Sequence, residues 1–179
     1  MIRYVAVFCG SKAGTNPAFA AAATELGRGL AEAGMTLIYG GGQAGIMGLV
    51  ADAALAAGGS VEGIIPDFLM QWEVAHPGVA DMHVTDTMHT RKRRMFERAD
   101  AFVTLPGGMG TLDETIEILT WRQLKLHDKP ILICDTAGWA RAFVCAIEAT
   151  VEQGFADPAI RDFIEVLDGS DAVLSRLRG

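Results

Sequence analysis

The 179-residue chain has little with which to build a cross-linked, metal-bound or membrane-spanning protein. Its three cysteines, Cys9, Cys134 and Cys145, are odd in number, show no CxxC spacing and sit inside apolar stretches. They read as reduced, buried thiols, so neither disulfides nor a zinc site is expected. The four histidines, His76, His83, His89 and His127, never fall at the close spacings that put two ligands on one helix or strand, and no metal is expected. No apolar run approaches the roughly 20 residues that span a bilayer, and MIRYVAVFCGS lacks the basic and apolar regions of a signal peptide. The expectation is a cytoplasmic protein with no membrane contact. Positive charge is scarce too: 15 Lys and Arg against 22 Asp and Glu leave a net charge of -7. Such a chain attracts polyanions poorly, so no nucleic-acid partner is expected and any phosphate site must be built locally.

What is present is apolar and patterned. Half of the residues are hydrophobic, about a fifth are charged, and the 21 glycines are scattered among apolar runs, which argues against disorder. The length suits one domain over residues 1–179. Short β-prone runs recur at 3–8, 36–39, 60–65, 82–85, 101–105 and 130–134, several of them continuously apolar as doubly covered strands are. Helical patterns fill 17–33, 45–57, 88–99, 112–126 and 139–153; the first has Pro17 at its start, a Phe19, Ala22, Leu26, Leu30 stripe, and Gly34 at its end. Strand and helix in alternation predict a Rossmann-like three-layer αβα domain with a mostly parallel sheet. In such a sheet, ligands bind beyond the carboxyl ends of the strands.

Three loops follow strands. FCGS (Phe8 to Ser11) and YGGGQAGIMG (Tyr39 to Gly48) place glycine where backbone amides can approach a ligand, with Ser11, Gly41 and Gly42 as candidate contacts. Gly40, Gly42 and Gly45 fit G-x-G-x-x-G with Glu62 twenty residues beyond Gly42. That imitation of a dinucleotide fingerprint is weak, because it follows the second strand and not the first, and tight packing explains the same glycines. The third loop is LPGGMGTLDE, Leu105 to Glu114. Pro106 ends the ladder, Gly107, Gly108 and Gly110 permit a nest of amides, and Thr111 with Glu114 reads as a capping box. Three glycines exceed what a cap needs, which suggests that something else contacts this backbone.

TMHTRKRRMFERAD, Thr87 to Asp100, is a basic amphipathic helix. Met88, Met95, Phe96 and Ala99 form an apolar stripe with Lys92 inside it and Arg91 on its border, while Arg93, Arg94 and Arg98 point away. Arg91 and Lys92 therefore need a carboxylate or phosphate partner, a ligand anion or Glu114, unless they snorkel to water. Met88, Met95 and Met109 read as packing and loop residues, and His89 as a hydrogen-bonding helix residue.

The motifs VFCGS, YGGGQAGIMG, GIIP, MHTRK, PGGMGTLDE, HDKP and EQGF, in this order over about residues 7 to 155, resemble the Lonely-guy (LOG) family of cytokinin riboside 5'-monophosphate phosphoribohydrolases. The resemblance implies hydrolysis of the N-glycosidic bond of a nucleoside 5'-monophosphate to free base and ribose 5-phosphate, with Arg91 and Glu114 catalytic. It implies a substrate site drawn from Ser11, Gly41, Gly42, Glu73, Met88, Lys92, Gly107, Gly108, Met109, Gly110, Thr111, Asp113 and Thr120, with no cofactor. Family members are homodimers with sites near the interface, and helix 112–126 is apolar enough, through Leu112, Ile116, Leu119, Ile118, Trp121 and Leu124, to supply one. Asp113 stands where the family often has a second glutamate, Thr90 where an acid is common, and Gln43-Ala44 where serine or threonine is frequent, which bears on substrate preference. The alternatives are a general nucleoside monophosphate nucleosidase and a non-catalytic nucleotide or cofactor carrier. A pyridoxal phosphate decarboxylase is disfavoured, since none of Lys12, Lys92, Lys125 and Lys129 lies in a recognisable Schiff-base context.

Overall fold

Continuous apolar runs become the centre of the sheet. In the computed structural model, which describes residues 1–71 and 74–179, seven strands pair in parallel in the order β4-β3-β2-β1-β5-β6-β7. They are β1 (Tyr4–Phe8), β2 (Thr36–Tyr39), β3 (Val61–Pro66), β4 (Asp81–Thr85), β5 (Ala101–Thr104), β6 (Ile131–Asp135) and β7 (Glu165–Asp168). The intervening helices are α1 (Pro17–Glu32), α2 (Gly45–Ala56), α3 (Met88–Arg98), α4 (Met109–Gln123), α5 (Arg141–Glu152) and α6 (Gly169–Arg178).

Alternation along each strand divides the core into two layers. Val5, Val7, Leu37, Val103 and Leu132 pack on α1, α2 and α6 through residues such as Leu26, Val50 and Leu174. Ala6, Phe8, Ile38, Phe102 and Ile131 pack on α3, α4 and α5 through Met95, Ile118 and Phe143. Fully burying one such side chain contributes about 1.5–3 kcal/mol, so both layers are needed to offset the ordering of the chain. α1 is bounded as its sequence predicts, by Pro17 at its first position and by Gly34, at φ 69°, just past its end; the Asn16 side chain, which the sequence reading did not single out, accepts from the Ala18 amide at 3.0 Å.

The structure corrects several expectations. β7 and α6 had no counterpart in the sequence reading, because β7 is a four-residue edge strand whose exposure alternates and whose apolar content is small. α4 begins at Met109, three residues earlier than the capping box required, with Gly108 as its N-cap and no side-chain cap. Thr111 is instead buried inside the first turn, against Gly107, and Glu114 pairs with Arg91. Cys9 and Cys134 are buried as expected, whereas Cys145 is exposed on α5.

The HDKP turn is a structural clamp between α4 and β6. His127 Nε2 donates to the Ile118 carbonyl at 2.8 Å, and its Nδ1 accepts the Lys129 amide at 3.2 Å, which fixes the neutral tautomer. The ring meets the Phe96 and Phe102 rings edge-on, and the Lys129 ammonium donates to the Phe96 carbonyl at 2.6 Å. Burial, helped by the charges of Arg122 and Lys129, outweighs the bond to Ile118 and holds the His127 pKa below its ordinary 6.5. A base with a depressed folded-state pKa binds its proton more readily when unfolded, so folding stability is complete above about pH 6.5 and declines as pH falls below it. Denaturant melts from pH 7.5 down to pH 5 should show that decline, and His127→Gln should flatten it; parallel curves for the two proteins would exclude His127 as its source.

Candidate functional site

The chain order reverses between β1 and β5, and the loops leaving these strands open a cleft of about 490 Å³ at the carboxyl edge of the sheet. Its floor is the β1 loop, Cys9 to Gly14, and the Pro106–Gly110 turn. Ile46 and Met47 at the start of α2 and Phe19 of α1 supply apolar lining, Met88 and Arg91 of α3 line the cleft together with Thr111, Asp113 and Glu114 of α4, and Trp139 completes the lining.

Glycine has two distinct uses here. The Gly10 amide donates to the Pro106 carbonyl at 3.2 Å, and the Met47 amide to the Gly10 carbonyl at 3.2 Å, so the three loops are stitched together. A Cβ on Gly107 would lie 2.1 Å from Thr111 Oγ1 and 2.8 Å from the Gly10 amide; one on Gly45 would lie 2.4 Å from the Lys12 amide. These glycines are there because protein fills the space. Around Gly108 and Gly110, by contrast, an added Cβ would meet nothing within 4 Å, and neither has a positive φ. Both sit where the first turn of α4 carries amides with no carbonyl one turn earlier to receive them, beside the positive end of the helix dipole. An anion can approach that backbone closely.

Arg91 is buried at 7% exposure, and Glu114 at 8%. Arg91 Nε donates to the Ile64 carbonyl of β3 at 3.0 Å, and Nη1 lies 3.2 Å from Glu114 Oε1. Its Nη2 would be only 2.2 Å from a Cβ on Gly40, so the bare end of β2 makes room for the guanidinium. Lys92 pairs with Asp113 and, at 3.4 Å, with Glu117. Partial burial works against its ammonium, yet hydrogen bonding to Asp113 and the charges of Glu117 and Asp113 prevail and raise its pKa.

Of the sequence candidates, Ser11, Met88, Arg91, Gly107, Gly108, Met109, Gly110, Thr111, Asp113 and Glu114 all line this cleft. Lys92 does not: it is committed to carboxylates of α4. Gly41 and Gly42 also lie outside the lining, since Gly41 packs against Ile65 and Met82, its carbonyl accepts the His76 amide, and Gly42 bridges to Ala75. Thr120 is exposed on α4, its hydroxyl donating to the Ile116 carbonyl, and Glu73 lies outside the described residues. Lys12, Phe19, Ile46, Met47 and Trp139 were missed; Lys12 and Trp139 follow strands, so the rule about strand ends could have found them.

Glu62 is not a ribose acid. It is 2% exposed at the start of β3, away from the cleft, and it pairs with Arg98 and Arg94, two cations that the sequence pattern had pointed away from the protein. Glu62, Asp81 and His83 come close enough to suggest a cation site. However, Arg94 Nη2 donates to His83 Nδ1 at 2.8 Å, which leaves Nε2 as the N–H facing Asp81 and Glu62 and gives it no lone pair for a metal.

A parallel αβα sheet with an amide-lined crevice at its switch point, and a buried arginine–glutamate pair within, defines a Rossmann-like protein. Among solved structures, the molybdenum cofactor carrier protein MCP from Chlamydomonas reinhardtii shares this fold, with a TM-score of 0.75 over 99% of this chain and 97% of that one, at 22% identity. A protein family described as "Possible lysine decarboxylase" matches residues 47–177. The probable cytokinin riboside 5'-monophosphate phosphoribohydrolase LOG4 of Oryza sativa subsp. japonica is 40% identical over 98% of this chain and 76% of its own length. The cytokinin riboside 5'-monophosphate phosphoribohydrolase of Rhodococcoides fascians is 39% identical over 97% and 88%. The chain belongs to this Lonely-guy family.

The two uses of glycine are separable by substitution. Gly107→Ala should destabilise the fold by about 1–3 kcal/mol through overpacking. Gly108→Ala and Gly110→Ala should leave the melting temperature unchanged or slightly raised and weaken binding of AMP. Calorimetry and thermal melts check both, and a Gly110→Ala protein that binds AMP normally would remove that backbone from the ligand site.

Proposed function

We propose that the chain hydrolyses the N-glycosidic bond of cytokinin riboside 5'-monophosphates, and of AMP, to free base and ribose 5-phosphate. The observation that carries this reading is the Arg91–Glu114 pair, 3.2 Å apart and buried in the same cleft that the open first turn of α4 lines. The relatives' names supply the substrate class.

The chemistry follows from where charge develops. The 5'-phosphate is held by the amides around Gly108 to Thr111, with the Thr111 hydroxyl and Lys12 in the same lining. As the bond from ribose to base stretches, positive charge grows on the sugar, and a carboxylate near the anomeric carbon stabilises it while orienting or deprotonating the attacking water. Glu114 takes that role. Arg91 holds the Glu114 carboxylate in place and balances its charge; a guanidinium does not give up its proton, so Arg91 is not the donor to the leaving base. Asp113, which also lines the cleft, and water are the candidates for that proton.

The lysine decarboxylase description of the family does not fit these residues. A pyridoxal phosphate site needs a lysine whose amine is free to form a Schiff base. Lys92 is kept charged by Asp113 and Glu117, Lys129 is tied to the Phe96 carbonyl, and Lys12, which lines the cleft, is exposed on the β1 loop without the apolar enclosure that activates such an amine.

The protein also acts, on this reading, as a cytoplasmic homodimer. Ile118 and Leu119 of α4 are taken up by the chain's own core, which narrows the expected interface to Ile116, Leu124 and the adjoining Leu126, all more than half exposed. No described helix is long and apolar enough to cross a membrane. Ile116→Glu should convert a sedimenting dimer to monomer; a monomeric wild type would dismiss the dimer.

Glu114→Ala and Arg91→Ala should each lower turnover by at least about 100-fold, the scale of a lost charge-stabilising group. Release of ribose 5-phosphate, followed over a panel of nucleoside monophosphates, checks this and ranks the bases. A wild-type protein that binds these nucleotides tightly without cleaving them would make it a carrier.

A further inference from the structure

On α3, Arg91, Arg94 and Arg98 stand at i, i+3 and i+7, and all three turn toward β3. Arg91 Nε donates to the Ile64 carbonyl, and Arg98 Nε donates to Glu62 Oε2 at 3.0 Å. Arg94 Nε stands 3.8 Å from Glu62 Oε1, and His83 Nε2 is 3.4 Å from that same oxygen. Neither Glu62 Oε1 nor Arg94 Nε has a hydrogen-bond partner, so these act on one another as charges. A carboxylate withdrawn from water to 2% exposure is costly unless such cations surround it.

Apart from its arginines, α3 holds the sheet by apolar contact, through buried Met95 and through Phe96, which stacks on Phe102 of β5. Apolar contact is non-directional and tolerates small slides of a helix along its groove; an ion pair at fixed geometry does not. Glu62 lies two residues before Ile64, about 7 Å down β3, and Arg98 lies seven residues beyond Arg91, about 10 Å along α3. The directional contacts to β3 therefore grip the helix at two separated points, one in the cleft and one far from it.

We infer that Glu62, remote from the cleft, is a positioning residue for the reaction: by holding Arg98 and Arg94 it fixes where α3 sits along β3 and so keeps Arg91 against Glu114. This rests on the reading that Arg91 and Glu114 act on the nucleotide. The helix itself is the rigid element that carries the effect.

The test combines kinetics with structure. Glu62→Gln keeps the shape and removes the charge, and should lower kcat by about 10- to 100-fold, the usual loss for a misplaced catalytic group, with KM little changed. In an Arg91→Ala background the same substitution should have no further effect. A crystal structure of Glu62→Gln should show α3 displaced and Arg91 Nη1 beyond hydrogen-bond reach of Glu114. Arg98→Met serves as the second variant should Glu62→Gln not fold, with the same result expected. Unchanged kcat in a folded variant, an equal loss with and without Arg91, or an unmoved α3 would each overturn the inference. A wild type that cleaves no nucleotide would defeat the proposed function instead, leaving the crystal structure to decide whether Glu62 sets the helix.

Discussion

The contact between Arg91 and Glu114 is the constraint around which the cleft is arranged. Two charges almost withdrawn from water are tolerable only as partners: removing one from a buried pair costs about 3–5 kcal/mol because the other is left uncompensated. The surroundings reflect that demand. The Ile64 carbonyl takes one guanidinium N–H, Gly40 leaves the space that the group fills, and α4 begins early enough to turn Glu114 inward. Each of these belongs to a different element, so the pair also marks where β2, β3, α3 and α4 converge.

The surface beside the pair that suits an anion is mostly backbone. Amides at the start of a helix are fixed in direction by the helix they begin, need no rotamer to be ordered, and carry partial positive charge in a protein whose net charge is -7. A local site of this kind needs no basic surface. The loops supporting it are held by glycines whose missing side chains let one backbone lie against another, so rigidity beneath the cleft and openness above it come from the same residue type.

How much of this was legible in the sequence depended on which force dominated. The central strands are buried on both faces and appear as continuous apolar runs, so their positions were readable to within a residue or so; β7, an edge strand with alternating exposure, left no comparable trace. Arg91 and Glu114 were found through the motifs that hold them. Thr111 was misread as a cap because the local pattern is satisfied equally by a hydroxyl at a helix start and by one buried in its first turn, and only tertiary packing separates the two. Arg94 and Arg98 were misread for a related reason: a helical wheel ranks faces by hydrophobicity and knows nothing of an acid on the neighbouring strand. Gly41 and Gly42 looked like ligand contacts, but their backbones are occupied by the 74–76 segment.

The bare α-carbon of Gly40 ties two distant parts of the chain into one inheritance. A methyl group there and the guanidinium of residue 91 compete for a single volume, so neither position can drift through neutral substitution while the other stays as it is. Homologues that retain the arginine should retain the smallest residue at the end of the second strand, and lineages that have lost one are free to lose both. A side chain at that point would have to push the guanidinium away from the Ile64 carbonyl and from Glu114.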